Sequence, residues 1–327
     1  MYAILADILF AMTSFAGAEP GASTALALPV DCTPGRTCLI QKLFDHDAGP
    51  GRRDYRCGVL TTDGHDGTDI RLRTMADMRA GVPVVAARAG IVLRTRDGEP
   101  DAGLAGPGRT AGKDAGNAVV IDHGGGWETQ YSHLRRGSLL VRPGQTVARG
   151  QAIALVGLSG NSEFPHLHFT VRHNGMAVDP FVGLTPLAGC GSGASPAALW
   201  SPIVVTQLGY VPTGVIAAGL AAEVPPSAVV DRDPPPALGG AHAPLILWAD
   251  TFGARAGDRQ EFAIIGPDGK AVHSQASEVE KGGLSWFAYS GKRPSAAGWA
   301  KGRYVGRYRL LRGSTVAAEI EVGGVVQ

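Results

Sequence analysis

Two histidines near the middle of the sequence have the spacing of a metal site. His166 and His168 flank Leu167 in the run Phe164–Phe169. If this run is a strand, its period of two residues puts both imidazoles on one face and leaves Leu167 and Phe169 for a core on the other. Imidazole is the commonest side-chain ligand of metals, so the pair predicts a metal site provided that further ligands lie upstream. Without such ligands, two ordinary surface or core histidines would explain the pattern equally well.

Suitable partners do lie upstream. His65 and Asp69 are four residues apart in the segment Gly-His-Asp-Gly-Thr-Asp at 64–69, and His133 follows in Gln-Tyr-Ser-His-Leu at 130–134. The two glycines of the first segment favour a turn that enters a strand, so the four-residue spacing is not expected to be helical. The helical protease signature His-Glu-x-x-His is absent from the sequence.

Short β segments separated by glycine turns surround these residues and predict an all-β fold. The sequence contains 47 Gly and 22 Pro, which favour many turns over long helices. Strands are expected at 82–87, 90–93, 118–123 and 127–134, with a polar glycine-rich insertion at 94–116. The unit at 141–157 resembles the hairpins of lipoyl and biotinyl carrier domains, but it contains no lysine, so a swinging-arm cofactor is excluded.

Composition excludes several functional classes. The chain has 327 residues, a net charge of +1, 18% charged residues and 6% aromatic residues. This balance provides no bulk field for nucleic acid or anionic membranes. Residues 203–224 are apolar, but Gln207, Gly209 and Pro212 interrupt them, so we expect strand-turn-strand there and no transmembrane anchor.

The first 18 residues resemble a signal peptide, and export to the periplasm or the cell wall is therefore expected. Residues 2–15 are mostly apolar, and Ala16-Gly17-Ala18 provides the small residues that a signal peptidase reads. The segment lacks a basic start and contains Asp7, so an ordinary buried helix is the alternative.

Four cysteines in an exported chain favour two disulfides. They are Cys32, Cys38, Cys57 and Cys190, and three connectivities are open. The favoured pairing is Cys32–Cys38 as a local loop with Cys57–Cys190 around the candidate catalytic core. Free buried thiols are the alternative. Residues 19–57 are predicted to form an irregular, cysteine-containing N-terminal cap.

Taken together, the motifs resemble the lysostaphin/LytM-type zinc metalloendopeptidases, peptidase family M23, which act on peptidoglycan. The elements His65-x-x-x-Asp69, His133 and His166-x-His168 come in the order of that family, and the resemblance covers about residues 58–185. The flanks agree with it. They are Gly116-Asn117, Pro143-Gly144 and Gly157-x-Ser159-Gly160.

The resemblance implies a role for each of the five residues. His65, Asp69 and His168 would bind one Zn²⁺ per catalytic domain, and His133 and His166 would be catalytic without binding the metal. The chemistry agrees, because two neutral imidazoles and one carboxylate leave a net +1 at a zinc with one open position, which acidifies a water. One free histidine would take the proton and the other would stabilise the oxyanion, and the sequence leaves the assignment open.

The sequence thus predicts an exported zinc endopeptidase that hydrolyses peptide cross-links or stems of peptidoglycan. The alternative is a zinc-folded protein with a blocked groove that activates other wall hydrolases. Two further residues are candidates for substrate contact. Asn117 either contacts substrate or stabilises a turn, and Tyr131 either lines the groove or packs in the core.

The remaining third of the chain is expected to be a separate module. After a catalytic domain at 58–187 and a glycine-rich linker at 188–200, residues 201–327 show short strands and turns at the spacing of a β-sandwich. We predict an immunoglobulin-like accessory domain that would bind a protein partner or the wall. Its aromatic residues are expected in the core or, alternatively, on a ligand face.

Overall fold

In the computed structural model, residues 24–104, 112–185, 189, 194–232 and 237–327 are described. The predicted signal peptide, Cys190 and most of the predicted linker lie outside these ranges. Within them, strands predominate, and the first half of the chain contains one short helix and ten strands. These are β1 (Cys38–Lys42), β2 (Thr68–Leu72), α1 (Met75–Ala80), β3 (Pro83–Val85), β4 (Gly90–Arg96), β5 (Asn117–Asp122), β6 (Trp127–Leu134), β7 (Thr146–Val147), β8 (Ala152–Leu155), β9 (His166–His173) and β10 (Met176–Val178).

Most of these strands form one antiparallel sheet. Its order is β1-β2-β9-β6-β5-β4-β7, with β10 paired to β9, whereas β3 and β8 pair separately. The three strands that carry the candidate site, β2, β9 and β6, are therefore adjacent. The non-local pairing brings side chains about 100 residues apart in sequence into direct register, with Asp69 opposite His168.

One face of this sheet is the hydrophobic core. Leu167 and Phe169 of β9 are fully buried, as are Ile70 of β2 and Tyr131 of β6. Phe169 stacks on Trp200 at 5.4 Å between ring centroids. The core-facing alternation predicted for the histidine run is thus observed, and it directs His166 and His168 to the opposite face.

The N-terminal segment contributes directly to this sheet. β1 lies within the predicted cap and pairs with β2, with Lys42 opposite Asp69 after a register shift. The Cys32–Cys38 disulfide is present and anchors the start of β1. Cys57 is also disulfide-bonded, but since Cys190 lies outside the described residues, the Cys57–Cys190 pairing stays a prediction.

The C-terminal third is a sandwich of two antiparallel sheets. Its elements are α2 (Pro202–Leu208), β11 (Gly214–Ala221), a 3₁₀ turn at Val229–Asp231, β12 (Leu245–Phe252), β13 (Ala254–Arg255), β14 (Arg259–Ile265), β15 (Ala271–Glu278), β16 (Gly282–Gly283), β17 (Trp286–Lys292), β18 (Gly302–Arg312) and β19 (Thr315–Val326). A three-stranded sheet β11-β12-β17 packs on a four-stranded sheet β15-β14-β18-β19. Phe262, Tyr304 and Tyr308 are buried between them, so these aromatic residues belong to the core. The all-β prediction is confirmed.

One local prediction is wrong. The strand-turn-strand expected at 203–224 is instead helix α2 followed by β11. Pro202 occupies the first turn of α2, where its missing N–H and fixed φ suit a helix start. Val204 and Leu208 are spaced four apart and are buried on one face. Neither α1 nor α2, the α-helices of the described ranges, is long enough to cross a bilayer.

The two halves of the chain share a hydrophobic core. Val204 and Leu208 of α2, Ile216 of β11 and Phe252 of β12 are buried in the same cluster as Ile70 and Leu72 of the first sheet. Burial of such side chains stabilises by about 1.5–3 kcal/mol each, so separating the halves would expose a substantial apolar surface.

Candidate metal centre

Three of the predicted residues converge on one point. The candidate ligand atoms of His65, Asp69 and His168 all lie within 4.8 Å of one another. Asp69 Oδ1 is 3.0 Å from His65 Nε2 and 2.9 Å from His168 Nδ1. Two imidazole nitrogens and one carboxylate oxygen are a donor set of the type that catalytic zinc sites use, which leaves a further coordination position open. The chain therefore contains a His/Asp group that can hold a metal ion.

The segment before β2 fixes the orientation of His65. Its Nδ1 donates to the carbonyl of Leu43 at 2.7 Å, which leaves Nε2 for the metal. Asp45 stabilises the turn below it by accepting from the backbone N–H of Gly64 at 2.9 Å and of Arg53 at 2.9 Å. The residues predicted as an irregular cap thus position a candidate ligand.

Strand register positions the other two ligands. Asp69 of β2 is directly opposite His168 of β9, which in turn is opposite Ser132 of β6. The second nitrogen of His168, Nε2, lies 3.1 Å from Asp66 Oδ1 and 3.0 Å from Thr170 Oγ1. A carboxylate that accepts from the outer N–H of a ligating histidine fixes its tautomer and raises its basicity.

His166 and His133 lie beside this group with one nitrogen each held by the backbone. Nδ1 of His166 donates to the carbonyl of Phe164 at 2.8 Å, and Nδ1 of His133 donates to the carbonyl of Ser159 at 2.8 Å. Since a carbonyl only accepts, Nδ1 carries the proton in both rings and Nε2 is the basic nitrogen. The two ring centroids are 4.6 Å apart, and His166 Nε2 is 3.6 Å from Asp69 Oδ1.

A left-handed backbone conformation brings His133 into the site. Ser132 already faces the groove from β6, so regular alternation would direct His133 to the other side of the sheet. His133 instead has φ 60°, a region that few non-glycine residues adopt. This conformation breaks the alternation and places its ring 5.9 Å from that of His168.

The five side chains line a groove of about 670 Å³. Its walls include Gln130 and Thr170 from the sheet and Leu104, Asp114 and Ala115 from the ends of the insertion. Among the described residues, no residue of 201–327 lines it. The groove is therefore formed by the first half of the chain and has room for a peptide.

Electrostatics favour a charged Asp69. Burial alone would raise the pKa of Asp69, but the neighbouring His65 and His166 and the hydrogen bonds from His168 and His65 outweigh burial and hold this pKa well below its usual range. Burial would likewise lower the pKa of His168, yet its hydrogen bonds to Asp66 and Asp69 raise it to about 9. The centre thus attracts a cation, either a proton or a metal.

The other two histidines are held neutral. Burial lowers the pKa of His166 to about 4, against the attraction of Asp69. Burial, together with the positive influence of His166 and His168, holds the pKa of His133 well below its usual range. Both Nε2 atoms are therefore available as bases near neutral pH.

Lys42 places a further charge beside Asp69. Its ammonium is 4.0 Å from Asp69 Oδ2 and 3.5 Å from Glu163 Oε2, and it lines the groove. Lys42 reaches the site through the pairing of β1 with β2. Sequence reasoning missed Lys42 and Leu43 because no local motif signals an edge strand that returns to the ligand turn. The carboxylates flanking His46 were the available signal for Asp45.

The two residues considered for substrate contact are buried away from the groove. Asn117 Nδ2 donates to the carbonyls of Glu99 and Leu134, and its Oδ1 accepts from the N–H of Glu99. The Tyr131 hydroxyl accepts from the N–H of Ala87 at 2.8 Å. Their positions match the second alternative in each case, a stabilised turn for Asn117 and a core aromatic for Tyr131.

A protein-family model matches a segment in this half of the chain. Residues 63–180 match the model of Peptidase family M23. The peptidoglycan DD-endopeptidase ShyA of Vibrio cholerae is 36% identical over 124 residues, which are 38% of this chain and 24% of that protein. The murein hydrolase activator EnvC of Escherichia coli is 45% identical over 65 residues, 20% of this chain and 15% of that protein.

A solved structure has the same limited coverage. The crystal structure of a zinc-containing peptidase from Vibrio cholerae is 31% identical, covers 47% of this chain and 39% of that chain, and superposes with a TM-score of 0.33. The chain spans about a quarter of the length of ShyA and less of EnvC.

Proposed function

We propose, from the match of residues 63–180 to Peptidase family M23, that the chain is an exported zinc endopeptidase that hydrolyses peptide bonds of peptidoglycan. The observation that carries the proposal is the convergence of His65, Asp69 and His168 with two further neutral histidines in one groove. The site would therefore combine the metal-binding and the proton-transfer groups of a hydrolase.

His65 Nε2, Asp69 Oδ1 and His168 Nδ1 would hold the zinc ion. A bound zinc supplies Lewis acidity and lowers the pKa of a water to about 7. The rest of the site keeps these three donors in place. The Leu43 carbonyl and Asp66 fix the outer nitrogens of His65 and His168, and Lys42 lies beside the second oxygen of Asp69.

His133 and His166 would handle the protons. Each has a neutral Nε2 that can accept a proton from the attacking water and, once protonated, can donate to the developing oxyanion or to the leaving amine. The backbone carbonyls that hold both Nδ1–H groups keep the rings from turning. The assignment of the two roles to His133 and His166 stays open.

The substrate class is supported by the relatives. ShyA is named a peptidoglycan DD-endopeptidase and the Mpg protein of Neisseria meningitidis a DD-carboxypeptidase/endopeptidase. These names favour peptide cross-links as substrate, with stem peptides as the alternative. Action on peptidoglycan requires export, which agrees with the predicted signal peptide at 1–18 and with a disulfide in the fold.

The proposal is tested with the full chain on purified sacculi. We expect soluble muropeptides to be released, the release to stop with a chelator, and Zn²⁺ to restore it. Mass spectrometry of the products identifies the bond, and a His133→Asn variant is the control for contaminating hydrolases. Zinc-loaded, folded protein that releases no more than this variant from sacculi or isolated muropeptides would overturn the proposal.

The similarity to EnvC favours a second candidate, a groove-blocked protein that activates other hydrolases. The N-terminal segment, the insertion or the C-terminal domain would then fill the groove. Lys42 and the ends of the insertion line it, whereas no described residue of 201–327 does. Cleavage that appears only after limited proteolysis, or stimulation of a separate hydrolase without intrinsic cleavage, would favour this candidate.

A further inference from the structure

A buried charge cluster joins the two halves of the chain behind the candidate catalytic centre. It consists of Arg71 on β2, Asp250 on β12 and Arg232 after the 3₁₀ turn, each with less than 5% of its side chain exposed. Arg232 Nη2 is 2.6 Å from Asp250 Oδ2, and Arg71 Nη2 is 3.8 Å from the same oxygen. Asp250 is therefore the shared counter-charge of two guanidinium groups.

Arg71 extends from the strand that carries the ligand Asp69. It lies two residues after Asp69 and is directly opposite His166 in the pairing of β2 with β9. Its Nη1 donates to Gln41 Oε1 at 2.5 Å, and Gln41 in turn donates to the carbonyl of Leu284 in the sandwich. Within the described part of the chain, Arg71 Nε has no hydrogen-bond partner.

The same guanidinium stacks on an aromatic ring of the groove wall. Arg71 Cζ is 4.2 Å from the centroid of Phe164, within the range of a cation–π contact. The Phe164 ring is 4.8 Å from the ring of His166, and the Phe164 carbonyl accepts from His166 Nδ1. An unbroken series of contacts thus runs from Asp250 through Arg71 and Phe164 to His166.

A buried guanidinium is stable only with a counter-charge, because desolvation costs several kcal/mol per ion. Among the described residues, the carboxylate nearest to Arg71 is supplied by the sandwich. The first half of the chain provides Gln41 as a neutral partner and Glu163 as a more distant negative charge. The placement of Arg71 over Phe164 therefore depends mainly on the second half of the chain.

We propose that Asp250 and Arg71 are positioning residues through which the C-terminal sandwich holds Phe164, and with it the ring of His166, in the geometry of the candidate catalytic centre. The proposal rests on the function proposed above for His166. The sandwich would then help to position a residue of the candidate catalytic centre, in addition to any binding role.

Two variants test the proposal in the full, zinc-loaded chain. Arg71→Met removes the charge but keeps an unbranched apolar side chain under Phe164, and Asp250 retains Arg232 as its counter-charge. Asp250→Asn keeps the size and removes the counter-charge. Glu261→Gln, which removes a carboxylate paired with Arg259 and Arg309 on the outer face of the sandwich, is the matched control.

We expect kcat to fall about tenfold in Arg71→Met and Asp250→Asn, with KM and zinc content unchanged, because misplacing a proton-transfer group slows the chemical step. Arg71→Lys, which keeps a cation near the ring, should recover part of the loss. Glu261→Gln should match the wild type. Folded Arg71→Met protein with wild-type kcat would overturn the proposal, whether or not Asp250→Asn folds.

A spectroscopic readout separates this proposal from the proposed function. Long-range ¹H–¹⁵N spectra of the histidine rings report the tautomer and the environment of His166, assigned by loss of its signals in His166→Asn. We expect these signals to shift or broaden in Arg71→Met and not in Glu261→Gln. Unchanged His166 signals would refute the positioning role, whereas absent cleavage by wild-type protein would refute the function alone.

Discussion

At the scale of single residues, Asp69 has two kinds of histidine neighbour. His65 and His168 turn a nitrogen toward its Oδ1 at about hydrogen-bond distance, whereas His166 Nε2 is 3.6 Å away and His133 is held by Ser159. This geometry supports the proposed division of the histidines into a ligand pair and a proton-transfer pair.

This division predicts different results for two substitutions. His168→Ala should lose zinc and activity together, because a three-ligand site cannot spare one ligand. His166→Asn should keep zinc and lose activity by about 10²–10⁴-fold, the contribution of a general acid or base. Zinc content by mass spectrometry and cleavage of sacculi measure both effects, and equal zinc loss in the two variants would contradict the division.

The lowered pKa values of His133 and His166 predict the acid side of the pH profile. A histidine with the ordinary pKa of 6.5 would be half protonated at that pH, but burial lowers the pKa of His166 to about 4. Because the neutral form is the base, activity should persist as pH falls below 6.5 and be lost only as pH approaches the folded-state values.

We therefore expect the acid midpoint of kcat below about pH 5.5 in protein kept saturated with zinc. The measurement is kcat for a defined muropeptide between pH 4.5 and 8, with zinc content checked at each pH. A midpoint at or above 6.5 would contradict this prediction.

Much of the site could be predicted at this scale. The order and spacing of the His65, Asp69, His133 and His166-x-His168 motifs identified all five residues. The support from Leu43 and Lys42 could not be predicted, since it depends on where a distant edge strand pairs. Asn117 illustrates another limit, because its amide serves three backbone groups that only the fold brings together.

At the scale of elements, the turn at 64–68 determines where the candidate ligand Asp69 lies relative to strand β9. A Cβ added at Gly67 would lie 2.6 Å from the carbonyl oxygen of Phe169 and 2.9 Å from His168 Cε1. Gly67 therefore allows β2 to approach β9 closely enough for Asp69 to meet His168. The sequence predicts a turn here. The close approach of β2 to β9 could not be predicted, because it follows from how the two strands pair.

Gly67→Ala should accordingly weaken zinc binding about tenfold or more, the effect of disturbing the surroundings of a ligating histidine. Gly64→Ala is the matched control in the same turn. Its added Cβ would meet no heavy atom within 4 Å, so it should cost about 1–2 kcal/mol of stability through its φ of +70° with a smaller effect on zinc. Competition with a chelator measures zinc affinity, and equal affinities in the two variants would refute the steric argument.

The disulfide before β1 makes a second prediction at this scale. Cys32 and Cys38 close a loop with a sequence separation of 6, for which chain entropy gives about 2 kcal/mol. Cys32→Ala should therefore lower the free energy of unfolding by about that amount while keeping the buried Cys38 side chain. Denaturant unfolding measures this free energy. The double variant Cys32→Ala/Cys38→Ala should lose more stability, because it also removes the packing of the buried Cys38 side chain. An unchanged midpoint in the single variant would show that the cross-link adds no stability.

Secondary-structure prediction succeeded for elements that have a clear local sequence pattern. It failed for elements whose conformation depends on packing or pairing with a distant part of the chain. The strands β5, β6 and β9 follow from their β-branched and alternating residues. Residues 203–224 were predicted as strand-turn-strand because polar, glycine and proline residues interrupt an apolar run. Helix α2 forms there because Val204 and Leu208 bury one helical face against the first sheet, which overrides the β-preference of the valines. Strand β1 was missed because its Cys-Leu-Ile-Gln-Lys sequence is short and its partner strand is distant.

At the scale of the whole molecule, the two halves are joined by the shared core and the buried charge cluster. Ile216 and Phe252 of the sandwich half pack in the cluster that supports the sheet of the metal centre. The chain should therefore unfold as one cooperative unit and not as two independent domains. The linker predicted at 188–200 does not decide whether the two halves unfold independently, because this depends on the packing between them.

Two matched phenylalanines test this cooperativity. Phe252 lies in the shared core and Phe262 within the sandwich, and each is 3% exposed. Truncation to alanine costs about 3–5 kcal/mol in either place. If the halves unfold together, calorimetry should show one transition in the wild type, lowered by both Phe252→Ala and Phe262→Ala. Two transitions, with Phe262→Ala affecting only one, would show that the halves are independent.

The left-handed backbone at His133 also has a consequence for which sequences this site tolerates. Position 133 belongs to β6, and strands normally select valine, isoleucine and other β-branched residues. At φ 60° those residues clash with their own backbone, whereas glycine and asparagine fit. In a library randomised at this codon and sorted for folded protein alone, glycine and asparagine should be enriched and valine depleted. Sorting for wall hydrolysis should retain histidine, so the two enrichment profiles separate what the backbone requires from what the chemistry requires.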